Sequence, residues 1–208
     1  MSITLYHHPF SRAAGMLWAL EEVGVPYEIH HVDIMKGAQK QTPVIDKNPM
    51  GKLPTLVDGE NVVTEGAAIC LYLADHYSYG KLAPRVDDPA RAAYYRWSFF
   101  APSVIEPAAI SKLSKLDVKP GQVGWGDYDS MVTAAESAIT GKQFVLGDQF
   151  SMADVVFGGC MRFMVQFKMI EAKPVFTQYV ERLQARPAYQ RGEAKNNEII
   201  KAHGLDKK

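Results

Sequence analysis

The sequence predicts an α/β unit built on a mixed sheet, followed by an all-helical unit. The predicted elements before residue 78 run βαβ and then ββα. A crossover makes strands parallel and a hairpin makes them antiparallel, so this order requires a mixed four-stranded sheet. The later periodic segments have helical spacing. We therefore assign residues 1–78 to the first domain, 79–88 to a linker and 89–208 to the second domain.

The first half of the α/β unit is a βαβ pattern. A β-branched and aromatic run, Ile3–His7, predicts a strand, and apolar residues at helical spacing follow it. Gly24 and Pro26 end that helix. Tyr27–Asp33 predicts the second strand, and residues 35–48 are polar and read as irregular.

The second half is a ββα pattern. Residues 55–63 predict two strands that turn around Asp58-Gly59, a dipeptide suited to a tight hairpin. A helix over Gly66–Tyr77 closes the unit. The stretch that follows, residues 78–89, has neither period and contains glycine, prolines and aspartates, which is typical of a linker.

The second unit is predicted to be helical throughout. A first helix after the linker is bent or ended by Pro102 and Pro107, and a second spans Asp127–Thr140. A third begins at a capping box, in which Ser151 and Asp154 satisfy each other's backbone N–H groups. The expected role of this box is folding.

Composition excludes several classes of function. The 208 residues carry a formal net charge of zero, which argues against a nucleic-acid binder with a basic face. No apolar run approaches the length of a membrane span, so no membrane partner is expected. Cys70 and Cys160 have apolar neighbours and form no CxxC pair, which favours buried thiols in a cytoplasmic protein.

The most informative motif is Leu53-Pro54 followed by Glu65-Gly66. A proline at the start of a strand belongs at an edge, and the N–H and C=O of Leu53 can then pair with a short extended ligand. Glu65 can accept an ammonium group, while the N–H groups that open the next helix, at Gly66 and Ala67, attract a carboxylate. Together they predict a site for an α-amino acid head.

These residues resemble the thioredoxin-like half of a glutathione S-transferase, and the likeness extends over nearly the whole chain. The resemblance implies a thioredoxin-like domain, a cis-proline turn at Leu53-Pro54 and a γ-glutamyl clamp at Glu65-Gly66. It implies glutathione as co-substrate, with no metal and no other cofactor. Gly66 departs from the usual Ser or Thr, which removes one hydrogen bond worth roughly 1.5–3 kcal/mol.

Ser11 is the first candidate for activating the thiol of glutathione. It lies after the first strand and at the start of the first helix, where a hydroxyl and the helix dipole would favour a thiolate. The resembling families place a tyrosine at the position of His7 or a serine at that of His8, so both remain open, as does the nearby phenol Tyr6. No cysteine occupies this turn, so mixed-disulfide chemistry is disfavoured.

The remaining substrate contacts follow from the same resemblance. Lys52 is the first candidate for the glycyl carboxylate and Lys40 the second. A second-substrate pocket between the domains is expected to hold an apolar electrophile. Its candidate wall is formed by residues of the first helix after the linker: Tyr95, Phe99, Phe100 and Ser103.

The sequence thus predicts a cytoplasmic glutathione transferase that activates a thiolate for attack on a small apolar electrophile, a reaction typical of detoxification. Two alternatives remain: a non-catalytic glutathione- or ligand-binding protein, and a regulatory partner-binding protein of the same fold. A homodimer is expected from the resemblance. The surplus of aromatic residues over 94–100 supports it, because one helical face cannot bury them all.

Overall fold

A computed structural model describes residues 3–206 of the chain. These residues form two compact units. One contains the residues up to Ser78 together with those from Arg186 onward, and the other is Tyr79–Ala185. The segment from Arg186 onward therefore groups with the sheet, whereas the sequence predicts it within a helical domain of residues 89–208.

The first unit contains the predicted mixed sheet of four strands. Its strands are β1 (Ile3–His7), β2 (Tyr27–His31), β3 (Thr55–Asp58) and β4 (Asn61–Thr64), in the order β2-β1-β3-β4. β1 pairs parallel with β2 and antiparallel with β3, and β4 pairs antiparallel with β3. The predicted hairpin forms, with Asp58 paired to Asn61 and Gly59 in the turn at a φ of 59°.

The helices of the first unit are α1 (Ala14–Val23), the short α2 (Val44–Lys47), α3 (Gly66–Tyr77) and α9 (Pro187–Ala202). Gly24 ends α1 with a φ of 75°, a left-handed conformation that glycine adopts without penalty. β2 ends at His31, earlier than predicted, because the Asp33 carboxylate accepts hydrogen bonds from the Met35 and Lys36 N–H groups and starts a 3₁₀ turn. The segment predicted to be irregular therefore consists of short helical turns.

Helix α9 packs closely on α1. A Cβ atom added to Gly192 would lie 2.9 Å from the backbone nitrogen of Trp18, so only glycine allows this approach. Charged pairs flank the contact. Arg186 lies 2.6 Å from Glu22, and Lys195 lies 2.6 Å from Glu21. Both glutamate side chains are at most 10% exposed, so the carboxylates are shielded from solvent, whereas the Lys195 side chain is 43% exposed.

The second unit is helical, as predicted. It contains α4 (Ala90–Phe100), α5 (Glu106–Leu113), α6 (Tyr128–Ile139), α7 (Met152–Gln166) and α8 (Pro174–Gln184). A π-helical segment, Ala101–Ile105, joins α4 to α5 and contains Pro102, where a bend was predicted. None of the helices within residues 3–206 is both long and apolar enough to span a membrane.

The predicted capping box opens α7, the most buried helix of this unit. The Ser151 N–H donates to the Asp154 carboxylate at 2.9 Å. The same carboxylate accepts from the Val145 N–H and the Tyr179 hydroxyl, each at 2.8 Å. Asp154 therefore joins the start of α7 to the preceding loop and to α8. Its role in folding is larger than a local cap.

Candidate functional site

Three segments of the first unit meet at one end of the sheet. Tyr6 of β1 pairs with Thr55 of β3, and Thr55 pairs with Thr64 of β4. The residues next along the chain therefore lie at the same edge: the turn that follows β1, the Leu53-Pro54 turn before β3, and Glu65 after β4. This register brings together the turn segments that carry the predicted glutathione contacts.

The Leu53-Pro54 turn presents free backbone groups. The peptide bond between these residues is cis, as predicted, and β3 begins at Thr55. Within residues 3–206 the N–H and C=O of Leu53 form no hydrogen bond. They are thus available to an extended ligand.

Asn48 shapes the loop before this turn. It is 4% exposed, its side-chain amide donates to the Lys52 carbonyl at 3.0 Å, and its side-chain oxygen accepts from the Met50 N–H at 3.1 Å. Sequence analysis missed this residue. The Asn-Pro pair at 48 and 49 is a turn signal that could have indicated it.

Glu65 lies between β4 and α3 in an unusual backbone conformation. Its φ is 65° and its ψ 123°, a combination that residues other than glycine rarely adopt. Its side chain is exposed, and its carboxylate has no partner within the described residues. Outliers of this kind cluster at binding sites because the surrounding structure must hold them. The conformation therefore supports a ligand-binding role for Glu65.

Gly66 opens α3 beside Glu65. The first N–H groups of this helix, at Gly66 and Ala67, lack intrahelical acceptors and can bind a carboxylate. A Cβ atom added to Gly66 would meet the Met16 methyl at 3.5 Å, which is an ordinary contact. The site therefore has room for the Cβ atom of the serine that the resembling families place here.

Ser11 is half-buried in the turn after β1. Its hydroxyl donates to the His8 carbonyl at 2.8 Å and accepts from the Ala13 N–H at 3.1 Å. Helix α1 begins at Ala14. Ser11 therefore lies three residues before the helix, in the turn that leads into it, and not at the helix start as predicted. A hydroxyl rotates freely about its C–O bond, so it can donate to a thiolate instead of the carbonyl.

The three alternatives to Ser11 are all buried. His7 and His8 have no exposed surface, and Tyr6 is 7% exposed and packs against Val32 and Val44. Burial lowers the pKa of His7 to about 4, so its ring is uncharged at neutral pH. His7 and His8 therefore present no surface to a bound thiol, and Tyr6 presents very little.

The two candidate lysines have different surroundings. The Lys40 ammonium donates to the Met50 carbonyl at 2.7 Å, so it already stabilises the loop. The Lys52 ammonium is exposed and has no partner within residues 3–206. Lys52 therefore remains the better candidate for a ligand carboxylate.

The candidate electrophile residues lie on or near α4, in the second unit. Tyr95 is 41% and Phe99 56% exposed, and with Ser103 they follow a spacing of four residues along one face. Phe100 lies off this face, half-buried, with its ring centroid 5.3 Å from that of Trp97. The face thus contains three of the four predicted residues.

No metal centre is found within the described residues, because their histidine, cysteine and acidic side chains form no group that could hold an ion. Cys70 and Cys160 are both buried, and neither forms a disulfide. Burial raises the pKa of Cys70 to about 12, so this thiol is unreactive at neutral pH.

Comparisons with known proteins agree with the predicted resemblance. A family model described as "Glutathione S-transferase, N-terminal domain" matches residues 1–75. Glutathione S-transferase hmp2 of Hypomyces subiculosus is 32% identical over 170 residues, which cover 74% of this chain and 79% of that protein. Glutathione S-transferase Z1 of Arabidopsis thaliana is 30% identical over 83% of this chain and 82% of its own length.

Solved structures give the same result for the fold. A glutathione S-transferase from Actinobacillus pleuropneumoniae has a TM-score of 0.74 at 26% identity, over 94% of this chain and 93% of that one. A glutathione transferase from Burkholderia graminis, solved with two glutathione molecules bound per subunit, has a TM-score of 0.74 at 26% identity, over 92% and 87% of the two chains. The similarity therefore includes both compact units.

Proposed function

Since this chain belongs to the glutathione S-transferase family, we propose that it binds glutathione at the sheet edge formed by Leu53, Pro54, Glu65 and Gly66. Ser11 stabilises the bound thiolate, which attacks an electrophilic carbon of a small apolar substrate. The observation that supports this proposal most strongly is the strained Glu65, whose unpartnered carboxylate stands beside the open N-terminus of α3.

Each part of glutathione has a matching group at this edge. The free N–H and C=O of Leu53 pair with the backbone of the cysteinyl residue. The Glu65 carboxylate accepts from the γ-glutamyl ammonium, and the N–H groups of Gly66 and Ala67 bind its carboxylate. Lys52 faces the glycyl carboxylate, whereas Lys40 holds the loop through Met50.

The second substrate uses the exposed face of Tyr95, Phe99 and Ser103. Aromatic rings favour an apolar or aromatic electrophile, because they offer dispersion contacts and little competition from water. Phe100 supports this face from its position against Trp97.

Replacement of Ser11 by Ala is expected to reduce the thiolate fraction of bound glutathione. A free thiol has a pKa near ~8.5, and one hydrogen bond to an anionic sulfur is worth roughly 1.5–3 kcal/mol. Turnover should then fall about ten- to a hundredfold with little change in glutathione affinity. The thiolate is measured by ultraviolet absorbance of bound glutathione across a pH titration.

Ser11→Thr is the matched control, because it keeps the hydroxyl. An unchanged thiol pKa in Ser11→Ala would disprove the assignment to Ser11. A thiol pKa in the unchanged protein equal to that of free glutathione would disprove catalysis and favour a non-catalytic glutathione-binding protein.

Replacement of Glu65 by Ala is expected to weaken glutathione binding about ten- to a hundredfold, since the ammonium loses a charge-assisted hydrogen bond of roughly 1.5–3 kcal/mol. Calorimetric titration measures the dissociation constant. Glu60→Ala, at the exposed hairpin turn of the same unit, is the control. Equal affinity in Glu65→Ala and the control would refute the clamp. Gly66→Ser should act in the opposite direction and tighten binding, because the Cβ atom is accommodated beside Met16 and the added hydroxyl can donate to the γ-glutamyl carboxylate.

We also propose that the protein is a homodimer in which the first unit of one chain faces the helices of the other. Exposed apolar side chains on each unit support this: Met50 at 65% and Val62 at 44% on the first, Phe99 at 56% on the second. Sedimentation equilibrium should give twice the 23.1 kDa chain mass. A monomer would rule out the dimer, and the exposed rings of α4 would then serve the electrophile alone.

A cytoplasmic location fits the two buried cysteines, which form no disulfide and favour a reducing compartment. There the proposed reaction would contribute to detoxification of electrophiles.

A further inference from the structure

His8 holds the turn that carries Ser11 through both its side chain and its backbone. The Nδ1 atom of its ring accepts the Phe10 N–H at 3.1 Å. Its carbonyl accepts the Ser11 N–H at 3.1 Å and the Ser11 hydroxyl at 2.8 Å. One fully buried residue thus fixes the position of two successive residues, the second of which is the proposed thiol-binding serine.

The contact to Phe10 requires a neutral imidazole with its proton on Nε2. A ring nitrogen accepts a hydrogen bond only while it carries no proton, and both nitrogens are donors in the cation. A proton added at Nδ1 would place two N–H groups against each other. The Nε2 atom is buried and has no partner within residues 3–206, so it cannot stabilise the cation either.

The groups around His8 are mostly other histidines. The ring centroid of His31, on β2, lies 5.4 Å away, and His203 stacks on His31 with centroids 3.7 Å apart. His7 is its neighbour on β1. Among the residues that the structure describes, Asp33 is the carboxylate that acts on His8. Burial, and then His203, lower the pKa of His8, while Asp33 opposes them.

We propose that His8 is a positioning residue for Ser11, whose neutral Nδ1 holds the turn that aims the serine hydroxyl and whose protonation in acid releases it. This inference rests on the proposed role of Ser11. It adds that the acid side of the pH–activity profile reports two protonations, that of the bound thiol and that of a buried ring that never touches the substrate.

Two substitutions at His8 separate this role from simple packing. In His8→Asn the side-chain oxygen can still accept the N–H two residues later, as in an Asx turn, but it does not titrate. In His8→Leu the acceptor is absent. Near neutral pH we expect the Leu variant to lose about five- to tenfold in kcat, the usual effect of one hydrogen bond, and the Asn variant to recover most of it.

The pH profile provides the second readout. Protonation of the bound thiol already lowers kcat in acid, so the titration of His8 should make this fall steeper, and in His8→Asn the additional steepness should be absent. His76→Asn, the same change at an exposed histidine of α3, should leave the profile unaltered. Equal activity of the Asn and Leu variants, or an acid limb unchanged in His8→Asn, would overturn the proposal.

A nitrogen-15 NMR titration of the unchanged protein tests the turn without any assay of turnover. The His8 Nδ1 signal should be that of an unprotonated nitrogen at neutral pH, and the Phe10 amide signal should shift as His8 titrates. A protonated Nδ1 at neutral pH would refute the turn itself. Failure of the transferase proposal is seen separately, as an unshifted thiol pKa of bound glutathione.

Discussion

Replacement of Asp154 by Ala is expected to lower the free energy of unfolding by about 3 kcal/mol. The change leaves buried donors without an acceptor at Val145, Ser151 and Tyr179. Each orphaned donor costs about 1–3 kcal/mol. Burial raises the pKa of Asp154 to about 6, so the charge itself carries a cost whose removal offsets part of the loss. The net loss remains large because the three donors lie on separate elements, so no single shift of the chain can supply all of them with a new acceptor.

Urea unfolding near neutral pH, with circular dichroism as the probe, measures this difference. Asp154→Asn should give a smaller loss, since its oxygen still accepts from two of the donors while its amide faces the Ser151 N–H. Asp129→Ala is the control: that side chain is 93% exposed, and its ion pair with Lys112 should contribute little. A loss in Asp154→Ala no larger than in the control would show that the carboxylate is not a structural centre.

Removal of the titrating ring at His7 is expected to abolish a pH-dependent part of the stability. The pKa of His7 is lowered from 6.5 to about 4, chiefly by burial, with a contact from the Asn196 side chain opposing the shift. Between these pH values the unfolded chain binds more protons than the folded one, so the free energy of unfolding falls as pH falls from 6.5 to about 4. At ~1.4 kcal/mol per pH unit, the full contribution is about 3 kcal/mol.

The measurement compares the free energy of unfolding of the unchanged protein and of His7→Gln across this pH range. The comparison is needed because Asp154, with its raised pKa, stabilises the fold in acid and partly hides the effect of His7. The difference between the two curves should shrink as pH falls. A constant difference would mean that burial does not lower the pKa of His7 in the folded protein. His76→Gln, at an exposed site, is the control, and its free energy of unfolding should follow that of the unchanged protein at every pH.

Local patterns predicted the elements that local interactions determine. The Ser151 to Asp154 capping box and the Asp58-Gly59 hairpin formed because their hydrogen bonds connect residues a few positions apart. The mixed sheet followed from the order of its elements. The site segments were predictable for the same reason, since strand register alone brings Leu53 and Glu65 to one edge.

Other features depend on contacts that no short pattern contains. Helix α9 is amphipathic, but the spacing of its apolar residues does not indicate that it packs on α1. That packing depends on Gly192 and on the basic residues that pair with Glu21 and Glu22. The burial of His7 and His8 was likewise hidden, because histidine suits surface and core equally. For this reason the sequence alone does not choose between Ser11 and these two histidines for the thiol contact.

The packing of α9 against α1 has a consequence for how the protein is made on the ribosome. The stretch Tyr79–Ala185 is inserted between the two parts of the first unit, so that unit cannot be completed until the chain beyond Arg186 has emerged. At typical synthesis rates the delay is on the order of ten seconds. During this time the face of α1 that later receives Gly192 lacks its partner, and the nascent sheet must persist without it or wait for the last helix to fold.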